Sequence, residues 1–290
     1  MKKILLLAAM AAVLVLALMK FGVIRPDRLA GEDAYTSPYI YVLDRETGKP
    51  VYEKNADAKA YPASLTKMMT TLVALEQIGD LAEQAPVDLD TYRQMVTANA
   101  SMAGFHGREP VTYRDLLYGT ILPSGGEAAN SLAVNTAGSV DAFVGLMNEK
   151  ADELGLDGTR FTNPEGLQDR DQYTTAADMA KLLDRALDNG HFRALLTKES
   201  FRTSATPDHP DGILLQSTVL SRLSGVNEEG FRILGGKSGT TYEAGECWAT
   251  LAEKNGKEYI AVVMGAPLRD IQHPDGAQIK DTLKLYEAID

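Results

Sequence analysis

The stretch GGKSGTT, Gly235 to Thr241, decides how this chain is read. A lysine among glycines and hydroxyl residues suits a phosphate-cradling loop, a catalytic cleft of another kind, or a plain turn. A phosphate loop needs a glycine, four residues, then Gly-Lys-Ser/Thr, placed after a strand and opening a helix. Counting back from Gly236-Lys237-Ser238, that first glycine belongs at position 231, which is Phe231. Gly230 is out of step by one, and TTYEAGECWAT, which follows, is no helix start. The nucleotide reading therefore fails on spacing and context, and Lys237 must be explained by the rest of the chain.

Around this stretch, ILLQST, RILGGKSGTT, GECWATLAEKNG and KEYIAVVMGA carry β-branched and aromatic residues between turns such as Lys254-Asn255-Gly256. This is the pattern of antiparallel strands. Far upstream, YIYVLD and PVYEKN flank ETGK and read as a hairpin. The segment 111–190 is mostly helical in pattern, and several of its helices end in glycine, as helix C-termini often do. From about Phe192 the character turns back towards strands. AQIKDTLKLYEAID closes the chain as a short amphipathic helix with Ile279, Leu283 and Tyr286 on one face. This order predicts an α+β fold: an antiparallel β-sheet built from both chain ends, flanked by helices, with a mainly helical insert.

The bulk properties agree with a folded domain. Of 290 residues, 44% are hydrophobic and 24% charged, enough to bury a sizeable core. The 29 basic and 40 acidic residues leave a net charge of −11, which argues against a nucleic-acid partner. Cys247 is the only cysteine, so neither an intrachain disulfide nor a Cys-rich zinc site is expected. Beside Trp248 in a strand it reads as buried packing. The four histidines form no His-Glu-x-x-His pair, and the expectation is of no cofactor.

Lys2 and Lys3 precede an apolar run from Ile4 to Met19, the pattern of an export signal. Leu18, Met19 and Lys20 are all large, so no small-x-small cleavage site follows. The favoured reading is an uncleaved membrane anchor over residues 1–24, with cleavage and secretion as the alternative. Residues 25–36 are polar with Pro and Gly and suit a tether. A single catalytic domain over 37–290 would then lie outside the cytoplasm.

The chemistry begins at a helix start. In PASLTKMMT, Ser64 and Lys67 are three residues apart and so share one helix face. A lysine on the apolar side of a helix loses solvation, which favours its neutral form. A neutral amine within reach of a hydroxyl can take its proton. Alone, this spacing is weak and better fits a serine that caps the helix beside a solvated lysine. Two further elements decide against that reading. LPSGGEAAN puts Ser124 between one helix and the next, and GGKSGTT puts Lys237, Ser238 and Gly239 on a strand. The ordered set Ser-x-x-Lys, then Ser-Asp-Asn, then Lys-Thr-Gly is shared by penicillin-binding proteins and class A β-lactamases.

From about Tyr39 to Gly265 the chain resembles a low-molecular-weight penicillin-binding protein of the D-alanyl-D-alanine carboxypeptidase family. The matching stretches include VLDRETGKPVYEKNADAKAYPASLTKMMT, DLLYGTILPSGGEAANSLA, FTNPEGL, YTTAADMA and GGKSGTTYEAGECW. The resemblance implies Ser64 as acylated nucleophile, Lys67 as its base and Ser124 as proton relay. It implies Lys237 as a source of positive potential and Ser238 and Gly239 as the strand against the substrate. The backbone N–H groups of Ser64 and Thr240 would form the oxyanion hole, and Arg269 is the nearest candidate to hold a terminal carboxylate. Its implied partners are peptidoglycan stem peptides ending in D-Ala-D-Ala and covalent β-lactam inhibitors.

Several positions depart from the family's pattern. Gly126 stands where the third residue is usually Asn, so a side-chain amide is missing; restoring it is expected to raise activity if its absence impairs the site. Ser238 replaces the usual Thr and keeps the hydroxyl. Glu165 and Gln172 stand where His is frequent. A C-terminal β-domain is not expected, since the chain ends at Asp290. The alternatives are an exported penicillin-binding sensor that has lost turnover, a D,D-endopeptidase, and a β-lactamase with Glu165 as its second base.

Overall fold

The computed structural model describes residues 34–226, 228 and 230–289. Strands β1 (Tyr39–Asp44) and β2 (Lys49–Lys54) form the expected hairpin. Strands β5 (Arg232–Thr241), β6 (Gly245–Lys254) and β7 (Lys257–Ala266) come from the other end of the sequence. All five pair antiparallel in the order β2-β1-β7-β6-β5, so the two chain ends meet where β1 pairs with β7. The β6–β7 hairpin turns at Asn255 and Gly256, both at positive φ (54° and 76°). Two successive left-handed residues match the strand twist, which is why Asn-Gly stands there.

Alternation along β7 places Ile260, Val262 and Met264 in one core and Tyr259, Ala261 and Val263 in another. The sheet is covered on both faces, which explains the unbroken apolar run in that strand. The helical section covers the first face. It comprises α1 (Thr66–Gln77), α2 (Leu89–Thr97), α3 (Tyr113–Ile121), α4 (Gly126–Ala137), α5 (Val140–Glu153), α6 (Ala176–Ala186) and α7 (Gly190–Leu196). A small hairpin of β3 (Ser200–Arg202) and β4 (Leu214–Gln216) follows. The closing helix α8 (Ala277–Ala288) covers the second face, and its buried Tyr286 hydroxyl meets Thr250 Oγ1 at 2.8 Å.

The α+β architecture expected from the sequence is the one observed. Three local expectations need correction. Phe192 lies inside α7 rather than at a return to strands, and Gly190 begins that helix instead of ending one. Asn189 is the reason: its Oδ1 accepts from the N–H groups of His191 and Phe192 and so caps the new helix. On α8, Leu285 is buried beside Tyr286 while Leu283 is only partly covered. The anchor expected over residues 1–24 and most of the 25–36 tether lie outside the described residues. Among the described residues no helix is long and apolar enough to cross a membrane.

Helix α1 sets up the site. It runs through the interior, with every residue from Thr66 to Ala74 buried. Any side chain on its first turn is therefore removed from water, whichever way it points.

Candidate active site

Ser64 sits in a short 3-10 turn, Ala63–Leu65, that leads into α1. Its hydroxyl does not cap the helix; instead it accepts a hydrogen bond from Lys67 Nζ at 3.1 Å. The turn is forced. Ala63 has φ +44°, a conformation that costs about 1–3 kcal/mol for a residue with a side chain. Two glycines make room for it. A Cβ on Gly239 would lie 2.9 Å from Ser64 N, and one on Gly166 would lie 2.0 Å from Ala63 O. Gly239 therefore lets strand β5 approach the serine turn, and Gly166 lets the NPEGL loop close under it.

That loop is stitched to α1. Thr70 Oγ1 donates to Pro164 O at 2.6 Å, and Lys67 Nζ donates to Glu165 O at 2.5 Å. Lys67 is thus held between the Ser64 hydroxyl and a backbone carbonyl. Burial is the dominant influence on its amine and lowers its pKa to about 8, against an upward pull from the Glu165 and Glu127 carboxylates. Close to neutral pH an appreciable fraction of this amine is free to accept a proton.

The second lysine stands opposite. Lys237 on β5 is fully buried, and its Nζ donates to Ser124 Oγ and to Ser238 O, both at 2.8 Å. Burial and the nearby Lys67 charge both hold its pKa well below the usual lysine range. Ser124 itself has φ +68° in the tight connection between α3 and α4. Ser238 Oγ meets Thr218 Oγ1 at 2.7 Å, and Thr240 is half-buried opposite Glu246 in the β5–β6 ladder. The fold therefore gathers Ser64, Lys67, Ser124, Lys237, Ser238 and Gly239 in one cleft, two hydroxyl–amine pairs facing each other.

Arg269 is not drawn into this network. It is exposed in the connection after β7. Its neighbour Leu268 does line a cavity of about 630 Å³ beyond the end of β5, walled by Tyr39, Tyr61, Tyr173, Tyr242, Lys59 and Arg170.

Gly126 opens α4, and its surroundings explain how the missing amide is accommodated. A Cβ there would come 2.9 Å from Met95 Sδ and 3.3 Å from Ser101 O, so Met95 fills the space. One helical turn on, Asn130 Nδ2 donates to Gly126 O at 2.9 Å and to Glu165 Oε2 at 3.0 Å. Glu127, next to Gly126, collects the N–H groups of Ala103, Gly104 and Phe105 on Oε1 at 2.7, 3.0 and 3.3 Å. Gln172 Oε1 likewise accepts from the N–H groups of Thr162 and Asn163 and braces the NPEGL loop from behind. Thr70, Asn130 and Thr218 are the last residues of PASLTKMMT, LPSGGEAAN and ILLQST, but the sequence reading gives none of them a role. Only their spacing along a helix or loop places them, and spacing alone does not mark them as functional.

These contacts predict that Gly126→Asn, introduced alone, collides with Met95 and destabilises the fold by about 1–3 kcal/mol. The pair Met95→Ala with Gly126→Asn is expected to recover most of that loss. Thermal melts of the two variants check it. Equal melting points for wild type and Gly126→Asn would contradict the packing described.

Cys247 is buried on β6, and burial raises its thiol pKa to about 12. It is packing, as expected, and no nucleophile.

The chain as a whole is similar to known proteins. Residues 28–268 match the family described as D-alanyl-D-alanine carboxypeptidase. A D-alanyl-D-alanine carboxypeptidase of Streptomyces sp. (strain K15) is 32% identical over 265 residues, covering 85% of this chain and 88% of that protein. The D-alanyl-D-alanine carboxypeptidase DacF of Bacillus subtilis is 31% identical over 236 residues, covering 81% of this chain and 59% of that protein. The chain thus spans about three fifths of the length of several curated relatives that it matches. The crystal structure of the Streptomyces K15 DD-transpeptidase superposes with a TM-score of 0.77 at 29% identity, covering 88% of this chain and 97% of that one.

Proposed function

The chain belongs to the D-alanyl-D-alanine carboxypeptidase family, and from that premise we propose that it removes the terminal D-alanine of peptidoglycan stem peptides through an acyl-enzyme. The observation that carries this reading is the Lys67 amine, buried, lowered to about 8 and hydrogen-bonded to Ser64 Oγ.

In the proposed reaction, Ser64 Oγ attacks the carbonyl carbon of the penultimate D-Ala while Lys67 Nζ takes its proton. The N–H groups of Ser64 and Thr240 receive the oxyanion, each such donor being worth ~3–4 kcal/mol in the transition state. The C–N bond then breaks, and the departing amine collects its proton through Ser124, whose hydroxyl is tied to Lys237. Water attacks the ester, regenerates the Ser64 hydroxyl and releases the shortened peptide. Burial and the nearby Lys67 charge hold the Lys237 pKa below the usual lysine range, and an incoming terminal carboxylate would favour its charged form. Arg269, next in sequence to the cavity-lining Leu268, is proposed to reach the same carboxylate.

We further propose that residues 37–290 form one catalytic domain outside the cytoplasm, that residues 1–24 anchor it to the membrane, and that β-lactams acylate Ser64. One observation favours a second reading. With Gly126 in place of an amide, the protein could bind β-lactams as a sensor without turnover. Release of D-alanine from diacetyl-Lys-D-Ala-D-Ala separates the two. Release is expected, and penicillin labelling without release would sink the enzyme reading.

A further inference from the structure

Away from the cleft, two of the chain's four histidines meet. His106 lies in the 98–112 connection between α2 and α3, and His209 in the 203–213 connection between β3 and β4. Their rings are 4.8 Å apart between centroids. Glu109 lies with them, almost wholly buried, and one ligand atom from each of the three residues falls within 4.8 Å of the others. We propose that His106, Glu109 and His209 form a binding site for a divalent transition-metal ion of the zinc type.

The chemistry of the donors fits that class. Two imidazoles with one carboxylate are a recurrent zinc set, and imidazole nitrogen excludes the hard calcium and magnesium ions as preferred ligands. The carboxylate is already oriented. Glu109 Oε1 accepts from Thr206 Oγ1 at 2.5 Å and meets His209 Nδ1 at 2.8 Å, while Oε2 accepts from His106 N at 2.8 Å. Neither Nε2 has a hydrogen-bond partner among the described residues. Asp208 supplies a further acidic donor beside the trio, its Oδ1 standing 3.6 Å from His106 Nδ1. Donor atoms around zinc lie about 3.3 Å apart; the exposed His106 ring can rotate to close that difference.

An ion here would clamp two connections together. The first of them also carries Ser101 O, which holds Gly126 N at 2.7 Å, and the N–H groups that hold Glu127. Metal binding would therefore stiffen the wall on which α4 begins.

The test uses the purified full chain, stripped with chelator and dialysed against zinc. One zinc ion per chain is expected, with a rise in melting temperature, and cobalt in its place should give the visible absorption of a low-coordinate site. His106→Ala, on an exposed side chain that the fold does not need, is expected to weaken zinc binding by ~100-fold or more, as is His209→Ala. Ser64→Ala should bind zinc like the unaltered chain, so failure of the acyl-transfer reading leaves this one standing. Absence of bound zinc, or zinc retained equally by the two histidine variants, would overturn the proposal.

Discussion

Ser64→Ala is expected to abolish covalent labelling by penicillin while the protein stays folded. The turn that carries Ser64 is imposed by Ala63, Gly166 and Gly239 rather than by the hydroxyl, and Lys67 keeps its bond to Glu165 O when the hydroxyl is gone. Loss of one hydrogen bond should reduce stability by only about 0.5–1.5 kcal/mol. Labelled penicillin followed by denaturing electrophoresis reads the first effect, and a thermal melt reads the second. A label that persists on the alanine variant would place the nucleophile elsewhere and remove the basis of the proposed mechanism.

Lys67→Met carries the second large effect. Methionine nearly preserves the buried volume but cannot accept a proton. Acylation is expected to fall by ~10²–10⁴-fold, the usual contribution of a positioned base. The pH dependence is the sharper readout. In the unaltered protein the reactive form is the neutral amine, so acylation should rise with pH and level off above about 8, following the pKa of Lys67. In Lys67→Met that rising limb should vanish. Glu165→Gln tests the same assignment. The Glu165 carboxylate raises the Lys67 pKa, so neutralising it should move the limb to lower pH. An unchanged limb in Lys67→Met would show that another group is titrating.

Glu165 also illustrates where sequence reasoning stopped short. As a residue in NPEGL it was a candidate second base for a β-lactamase. In the structure its backbone carbonyl, not its carboxylate, bonds Lys67, and its carboxylate turns to Asn130. Gly126 is a similar case. The sequence shows a missing amide; the structure shows Met95 seated in the space and Asn130 bridging the helix start to Glu165. Restoring the amide by a single substitution is therefore a packing problem before it is a catalytic one.

Much of the fold was legible beforehand because its signals are local. The β5, β6 and β7 strands announce themselves by β-branched residues and an Asn-Gly turn, and the helices by spacing. Phe192 reads as a strand start in the sequence because a seven-residue helix offers too few turns for a period to show, and its cap, Asn189, is a single residue.

By itself the sequence determined the coarse order of strands, helical section, strands and closing helix, the closing of one sheet from both chain ends, and the three motif corners with Ser64, Ser124 and Lys237. These depend on periodicity and on residues adjacent in the chain. Only the tertiary structure decided how those corners work. The depressed pKa of Lys67 arises because α1 runs through the interior, and the serine turn exists because Gly166 and Gly239 let remote backbones approach it. The facing of Lys237 onto Ser124, 113 residues away, is a contact between strand β5 and the α3–α4 connection that only the fold brings together. Desolvation and close approach are properties of what surrounds a residue, and no stretch of sequence carries its own surroundings.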